Sequence, residues 1–236
     1  METARCGLCF RRLPRAVLEA GLPRPPWEAH GGRRSSDWRR CRHCRTGTPG
    51  LGRLLAIGDY PGDLRPWVLA FKHAGRVDLA RPLAGILAQQ CVKAGWNVDR
   101  SLGNAELKRP RLVPVPLAPS RKLERGYDQA DVLARAIGLE LGFTVTRKLV
   151  RTRATPPQGE PGSRSRTANV SGAFALARTQ LRFWRAPSAL DPRQPLLLVD
   201  DVVSSGATLA ECARVLRAAG AKCVGALALA RAEKAS

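Results

Sequence analysis

The run Pro195–Val199 (PLLLV) passes directly into two aspartates, and that junction restricts the available folds more than any other feature of the chain. A strand with one wet face alternates apolar and polar residues. An unbroken apolar run means that both faces are covered, as in a parallel sheet flanked by helices. The segment Asp200–Thr208 (DDVVSSGAT) reads as a turn, Leu209–Ala219 as a helix closed by Gly220, and Cys223–Ala230 as another buried strand. Strand, turn, helix and strand in that order predict a parallel, doubly wound α/β sheet.

The preceding chain supports this reading. Leu64–Cys91 carries apolar residues at helical spacing (Leu64, Val68, Leu69; Leu79, Leu83, Ile86, Leu87), broken near Gly75, and predicts two helices. A polar loop follows over Asn97–Pro110. Leu112–Leu117 (LVPVPL) is a short extended run whose two prolines indicate an edge strand, a strand end or an unusual turn. Asp128–Leu141 shows a helical stripe (Val132, Leu133, Ile137, Leu141) ending at Gly142, and Val145–Val150 predicts a strand. Arg151–Val170 is rich in Pro, Gly, Ser, Thr and Arg. Its Arg151, Arg153, Arg164 and Arg166 stand against one acid, Glu160, which suits a lid over phosphates.

In an open α/β sheet, ligands collect beyond the carboxyl ends of the strands, where Asp200–Thr208 must lie. Asp200 and Asp201 suit paired hydroxyls such as those of a ribose. Ser204, Ser205 and Thr208 supply hydroxyls, and Gly206, followed by Ala207, lets backbone amides approach an anion. The next helix aims its positive end at the same place, so one loop is predicted to hold a ribose and its 5′-phosphate. A plain capped helix after a strand accounts for one aspartate and one hydroxyl but not for the whole string. Neither G-x-x-x-x-G-K-[ST] nor a G-x-G-x-x-G after a strand occurs.

Residues 1–53 differ from the domain predicted over 54–236. They are rich in Arg, Pro and Gly, with little sustained apolar periodicity, and need a staple to fold. Cys6, Cys9, Cys41 and Cys44 form two C-x-x-C pairs with zinc-ribbon spacing, and four thiolates closing the shell make the metal structural. Binding worth about 10–16 kcal/mol is ample to fold such a module. A redox-active C-x-x-C is the competing reading. Cys91, Cys212 and Cys223 fall on apolar positions and are expected to be buried thiols.

Lys and Arg total 40 against 19 Asp and Glu, a net charge of +21. Such a chain accumulates polyanions: nucleic acid, nucleotides or an anionic membrane surface. Coding bias explains the preference for Arg over Lys, but not the shortage of acids. The first residues lack the apolar stretch of a secretory signal, and runs such as Val224–Ala230 fall far short of the roughly 20 residues that span a bilayer. The expected location is therefore a reducing cytoplasm, with peripheral contact at the inner membrane left open.

The string LLLVDDVVSSGAT resembles the phosphoribosyl-pyrophosphate (PRPP) motif of type I phosphoribosyltransferases. Three further strings resemble the ComF (ComFC) family associated with DNA uptake: VPVPLAPSRKLERGYDQADVLARAI, RTRATPPQ with RTANVSGAF, and YPGDLRPWVLAFKHAG. The resemblance covers about Leu54 to Arg231, in order. It implies that Asp200 and Asp201 bind ribose hydroxyls and that Ser204, Ser205, Gly206, Ala207 and Thr208 cradle the 5′-phosphate. Arg121 and Arg125 would hold pyrophosphate, Arg151–Asn169 would be the catalytic loop, and Mg²⁺ would arrive with PRPP. The family's Arg-Gly-Phe-Asn-Gln is Arg125-Gly126-Tyr127-Asp128-Gln129 here, and its Thr-Thr before the glycine is Ser204-Ser205. Two readings follow: a PRPP-dependent transferase with an unassigned acceptor, or a non-catalytic accessory protein that binds single-stranded DNA, senses a nucleotide and meets competence or DNA-uptake proteins.

Overall fold

Strand β7 (Val224–Arg231) has all eight residues buried, a pattern that only a strand covered on both faces can show. The computed structural model describes residues 51–52, 54–60, 63–93, 109–153, 170–177 and 190–232. The elements in chain order are β1 (Leu54–Asp59), α1 (Leu64–His73), a 3-10 turn (Val77–Leu79), α2 (Ala80–Lys93), β2 (Arg111–Pro114), α3 (Pro119–Arg125), α4 (Gln129–Leu141), β3 (Thr144–Val145), β4 (Leu149–Arg151), β5 (Phe174–Leu176), β6 (Leu196–Val203), α5 (Ala207–Ala218) and β7. Five strands form a parallel sheet in the order β1-β7-β6-β2-β3, and β4 pairs antiparallel with β5 in a separate ribbon.

Helices cover both faces because the strands are apolar on both. On one face Leu55, Leu112, Leu197, Val199, Leu227 and Leu229 meet α1, α2 and α4. On the other, Leu196, Leu198, Val224, Ala226 and Ala228 meet α5 and the β4–β5 ribbon. Helix α4 buries Ala130, Leu133, Ala134 and Ile137, and α5 buries Leu209, Cys212, Ala213 and Leu216. Both sets follow the i, i+3, i+4, i+7 spacing of one helical face, and each buried leucine contributes about 1.5–3 kcal/mol. Asp128 caps α4 by accepting from the Asp131 amide, and Gly142, at φ 67°, ends it in the left-handed conformation.

The expected sheet class and the two helices broken near Gly75 are present, with four refinements. First, β2 is interior, between β6 and β3, and its prolines mark the strand's end, not a sheet edge. The Arg111 and Val115 amides donate toward β6, so by alternation position 114 faces β3, whose pairing has already stopped at Leu112. The missing amide of Pro114 therefore leaves no gap in the ladder.

Second, the strand expected over Val145–Val150 is two strands in two different sheets. A turn, in which the Lys148 amide donates to the Thr146 carbonyl, separates them. Third, β6 continues through Val203, so the acidic doublet is strand, not turn. Fourth, Cys223 is exposed at the foot of β7, whereas Cys91 and Cys212 are buried as expected. The cysteine module over 1–53, with Cys6, Cys9, Cys41 and Cys44, lies outside the described residues apart from 51–52, as does most of the 97–110 loop. Among the described residues, no helix is long and apolar enough to cross a membrane.

Two glycines in helices test the packing. A Cβ on Gly138 in α4 would sit 2.7 Å from the Phe143 carbonyl oxygen, while a Cβ on Gly85 in α2 would meet nothing within 4 Å. Gly138→Ala is expected to destabilise the domain by about 1–3 kcal/mol through overpacking against backbone. Gly85→Ala should leave stability unchanged or raise it by up to about 1 kcal/mol, both read by urea unfolding.

Candidate phosphate and sugar site at the sheet's switch point

Strands β2 and β6 lie side by side, yet the chain leaves β2 toward α4 on one face and leaves β6 toward α5 on the other. Connections that diverge this way open a crevice beyond the carboxyl ends of the two strands. Val170, Asp200, Val202, Val203, Ser204, Ser205, Gly206, Ala207, Thr208 and Leu209 line a pocket there, of about 290 Å³ counted out to open solvent. All five residues expected to cradle a phosphate, Ser204 to Thr208, are on its wall.

The loop is shaped for an anion. Gly206 has φ 77° and precedes α5 without any side-chain cap. A side chain at that φ would be strained, and an uncapped helix leaves its first amides to a ligand or to water. Among the described residues, the Ser204, Ser205 and Gly206 amides donate to no protein acceptor. The Ser205 hydroxyl lies 3.4 Å from the Ala207 amide, a long contact that a ligand oxygen can replace. The positive end of the α5 dipole adds roughly half a charge at the same spot.

Asp200 and Asp201 are split across the sheet, as neighbours in a strand must be. Asp200 lines the pocket, and one of its oxygens accepts from the Asp201 amide at 2.9 Å. Asp201 faces the α1 side, where its Oδ1 is 3.2 Å from Lys72 Nζ. That oxygen also accepts from the Val202 amide at 2.6 Å. Burial, then the neighbouring Asp201 charge, push the Asp200 carboxyl up to about 8, against the pull of Lys72.

Basic residues come from two elements, α3 and β4. Burial first, and then repulsion from Arg121 on α3, depress the Arg151 guanidinium, and Asp200 opposes that shift. Arg121, Arg151 and Asp200 therefore share one electrostatic neighbourhood. Arg151, at the end of β4, stacks on Phe174 of β5 at 5.3 Å, a cation–π contact worth about 0.5–2 kcal/mol. Arg125 ends α3 and acts on Tyr127. The β4–β5 ribbon is fixed to α5 by Glu211, which accepts from the Gly172 amide at 2.8 Å. Its pairing with Arg214 first, and that amide next, keep the Glu211 carboxyl below its usual range. Residues 154–169 of the expected lid lie outside the described residues, but Val170 at their far end is on the pocket wall.

Beyond Arg125, the Arg125–Gln129 string makes contacts within the fold. The Asp128 carboxylate accepts from the Leu117 and Asp131 amides, both at 3.3 Å, so it caps α4 and ties it to the turn after β2. The Tyr127 hydroxyl donates to the Phe71 carbonyl, and Gln129 Nε2 donates to the Lys72 carbonyl at 3.3 Å. Lys72, Tyr127, Gln129 and Glu211 were not foreseen as site residues. The signals available were a lysine ending an otherwise apolar helix and a glutamate amid the buried face of α5.

Comparison with known proteins agrees with this geometry. The phosphoribosyl transferase domain family matches residues 123–236. The DNA utilization protein YhgH of Salmonella typhi is 31% identical, over 93% of this chain and 86% of the relative. Competence protein F of Haemophilus influenzae is 30% identical, over 81% and 78%. The chain belongs to the ComF family. A more distant member, competence protein ComFC of Streptococcus pneumoniae, is 25% identical over 75% of this chain and 67% of its own. The ComF relatives align over most of the chain, and the phosphoribosyl transferase match covers every residue of the pocket wall, so the pocket belongs to a phosphoribosyltransferase-type domain.

The raised Asp200 carboxyl carries a sign. Its neutral form is favoured in the folded protein, so it weakens the unliganded fold progressively as pH climbs from the ordinary carboxylate range through about 8. Asp200→Asn should therefore raise the melting temperature, little at about pH 4 and by several degrees at about pH 8. An equal change at both pH values in scanning calorimetry would disprove the burial of that charge.

Proposed function

We propose that the pocket binds PRPP with its magnesium, and that the protein transfers the phosphoribosyl group to a nitrogen acceptor. The single observation that carries this reading is the uncapped start of α5, with three undonated amides beside a carboxylate at the sheet's switch point. The Ser204–Thr208 loop holds the 5′-phosphate through backbone amides and hydroxyls. Asp200 accepts from ribose hydroxyls on the pocket side, and Asp201 does so from the α1 side of the same strand end. Charge-assisted bonds of roughly 1.5–3 kcal/mol each make a few such contacts sufficient for binding.

In the transfer, the bond from ribose C1 to the pyrophosphate oxygen breaks and its electron pair leaves with pyrophosphate. The acceptor nitrogen forms the new bond to C1 and releases its proton to solvent. Positive charge builds on the sugar ring, and that charge favours the ionised form of Asp200 on the pocket wall, which then stabilises it. Arg121 and Arg125 offset the charge gathering on the leaving pyrophosphate, together with the magnesium that arrives on the substrate. Catalysis is then mainly positioning and electrostatics.

A second reading is supported by the net charge of +21 and by relatives named for competence and DNA utilization. In it the chain binds single-stranded DNA as an accessory of DNA uptake, and the pocket senses a nucleotide. The two readings part on one assay pair: pyrophosphate release from PRPP over a panel of nucleobases and amines, and single-strand binding over a range of salt. Release with any acceptor supports transfer. No release, with affinity that falls steeply as salt rises, supports the accessory role.

The site assignment itself is tested by calorimetry. Asp200→Asn combined with Asp201→Asn should abolish PRPP–magnesium binding while the protein still melts cooperatively, and unchanged affinity would remove the assignment. For the amino-terminal module, Cys6, Cys9, Cys41 and Cys44 are proposed to hold a structural zinc. Elemental analysis of protein purified without chelator should find about one zinc per chain, and none would refute the ribbon.

A further inference from the structure

We propose that Lys72 is the charge-balancing and positioning residue of this site, and that Tyr127 and Gln129 hold it in place. The inference rests on the phosphoribosyl reading for its ligand, but the ion pair at its centre does not. Lys72 is the penultimate residue of α1, the helix whose Val68 and Phe71 are fully buried, so its backbone is fixed by packing. Two side chains from the turn between α3 and α4 then grip the same helix end, Tyr127 at the Phe71 carbonyl and Gln129 at the Lys72 carbonyl. Gln129 is 2% exposed, so its amide is committed to that bond and not to solvent. Carbonyls at a helix carboxyl end lack intrahelical donors, and these bonds satisfy two of them.

The consequence lies at the other end of the lysine. Its ammonium sits 3.2 Å from Asp201, with both side chains mostly sheltered at 21% and 12% exposure, where an ion pair is weakly screened. Without that ammonium, β6 would end in two adjacent, half-sheltered carboxylates that cannot both ionise cheaply. Lys72 pairs with Asp201 and limits how far Asp200 is driven toward its neutral form. The other charged or titratable groups facing the pair are Arg151 on β4, Cys212 on α5 and Tyr127 in the turn. Among the described residues, the ion pair at the doublet is that of Lys72 with Asp201, while Arg151 acts on Asp200 through its charge.

Tyr127 and Gln129 thus serve to place a lysine that is distant in sequence. The clamp also couples α1 to the crevice: loosening Tyr127 or Gln129 would free the helix end and withdraw the ammonium from Asp201.

The experiment uses the full chain and two readouts. Carbon-13 NMR titration of the Asp200 carboxyl in the unliganded protein should show Lys72→Met raising its apparent pKa by about one unit, and Lys72→Arg restoring it. In calorimetry with PRPP and magnesium, Lys72→Met should bind about tenfold more weakly at neutral pH, recover as pH rises past 8, and be rescued by Lys72→Arg to within about threefold. Tyr127→Phe, which removes only the hydroxyl, should shift the titration in the same direction by less. Unchanged carboxyl titration in Lys72→Met, with melting as in the wild type, would overturn the proposal. If wild-type protein binds no PRPP, the phosphoribosyl reading fails, and the NMR titration still decides the role of Lys72.

Discussion

Strand β6 hydrogen-bonds in parallel register to β2 on one side and β7 on the other, and its outgoing chain turns to the opposite sheet face from that of β2. Everything functional in the domain follows from that reversal. Neighbouring strands whose connections leave to the same face would close their carboxyl ends with packed loops. Where the connections diverge, the strand ends stay open, and the residues there are released from packing. The doublet, the serine-rich loop and the first turn of α5 occupy that opening.

The site is costly to the fold that contains it. A carboxyl pushed up to about 8, three amides without acceptors and an uncapped helix all oppose stability in the absence of a ligand. They are held by rigid surroundings. Leu196, Leu198 and Val199 anchor β6 below the doublet, Leu209 and Leu216 anchor α5, and Glu211 ties the β4–β5 ribbon to that helix. The described groups around the pocket are thus pre-organised. Among the described residues, Lys72 compensates the doublet through its ion pair with Asp201 before any ligand arrives.

Much of this was legible along the chain because it depends on local pattern. PLLLV announced a strand buried twice over, the spacing of Leu209, Cys212, Ala213 and Leu216 announced a helix, and Gly206 after two serines announced a loop open to an anion. The break near Gly75 and the stop at Gly142 were equally readable, since each glycine adopts a backbone angle that other residues avoid. Val145–Val150 read as one strand because periodicity does not report partners. Only pairing shows that its two halves belong to different sheets.

By itself, then, the sequence determined the fold class, the parallel sheet and the glycine-bearing turn that opens α5, because each rests on contacts between residues close in the chain or on the burial of a continuous run. Tertiary structure alone decided which partner each charged group received. Lys72 meets Asp201 across 129 positions of sequence, and Tyr127 reaches Phe71 across 56. It also decided that the two aspartates face opposite sides of the sheet, and that Asp128 caps a helix and ties it to the turn after β2. Side-chain pairing of this kind is set by the packing of separate elements against a common sheet, and no spacing along one element encodes it.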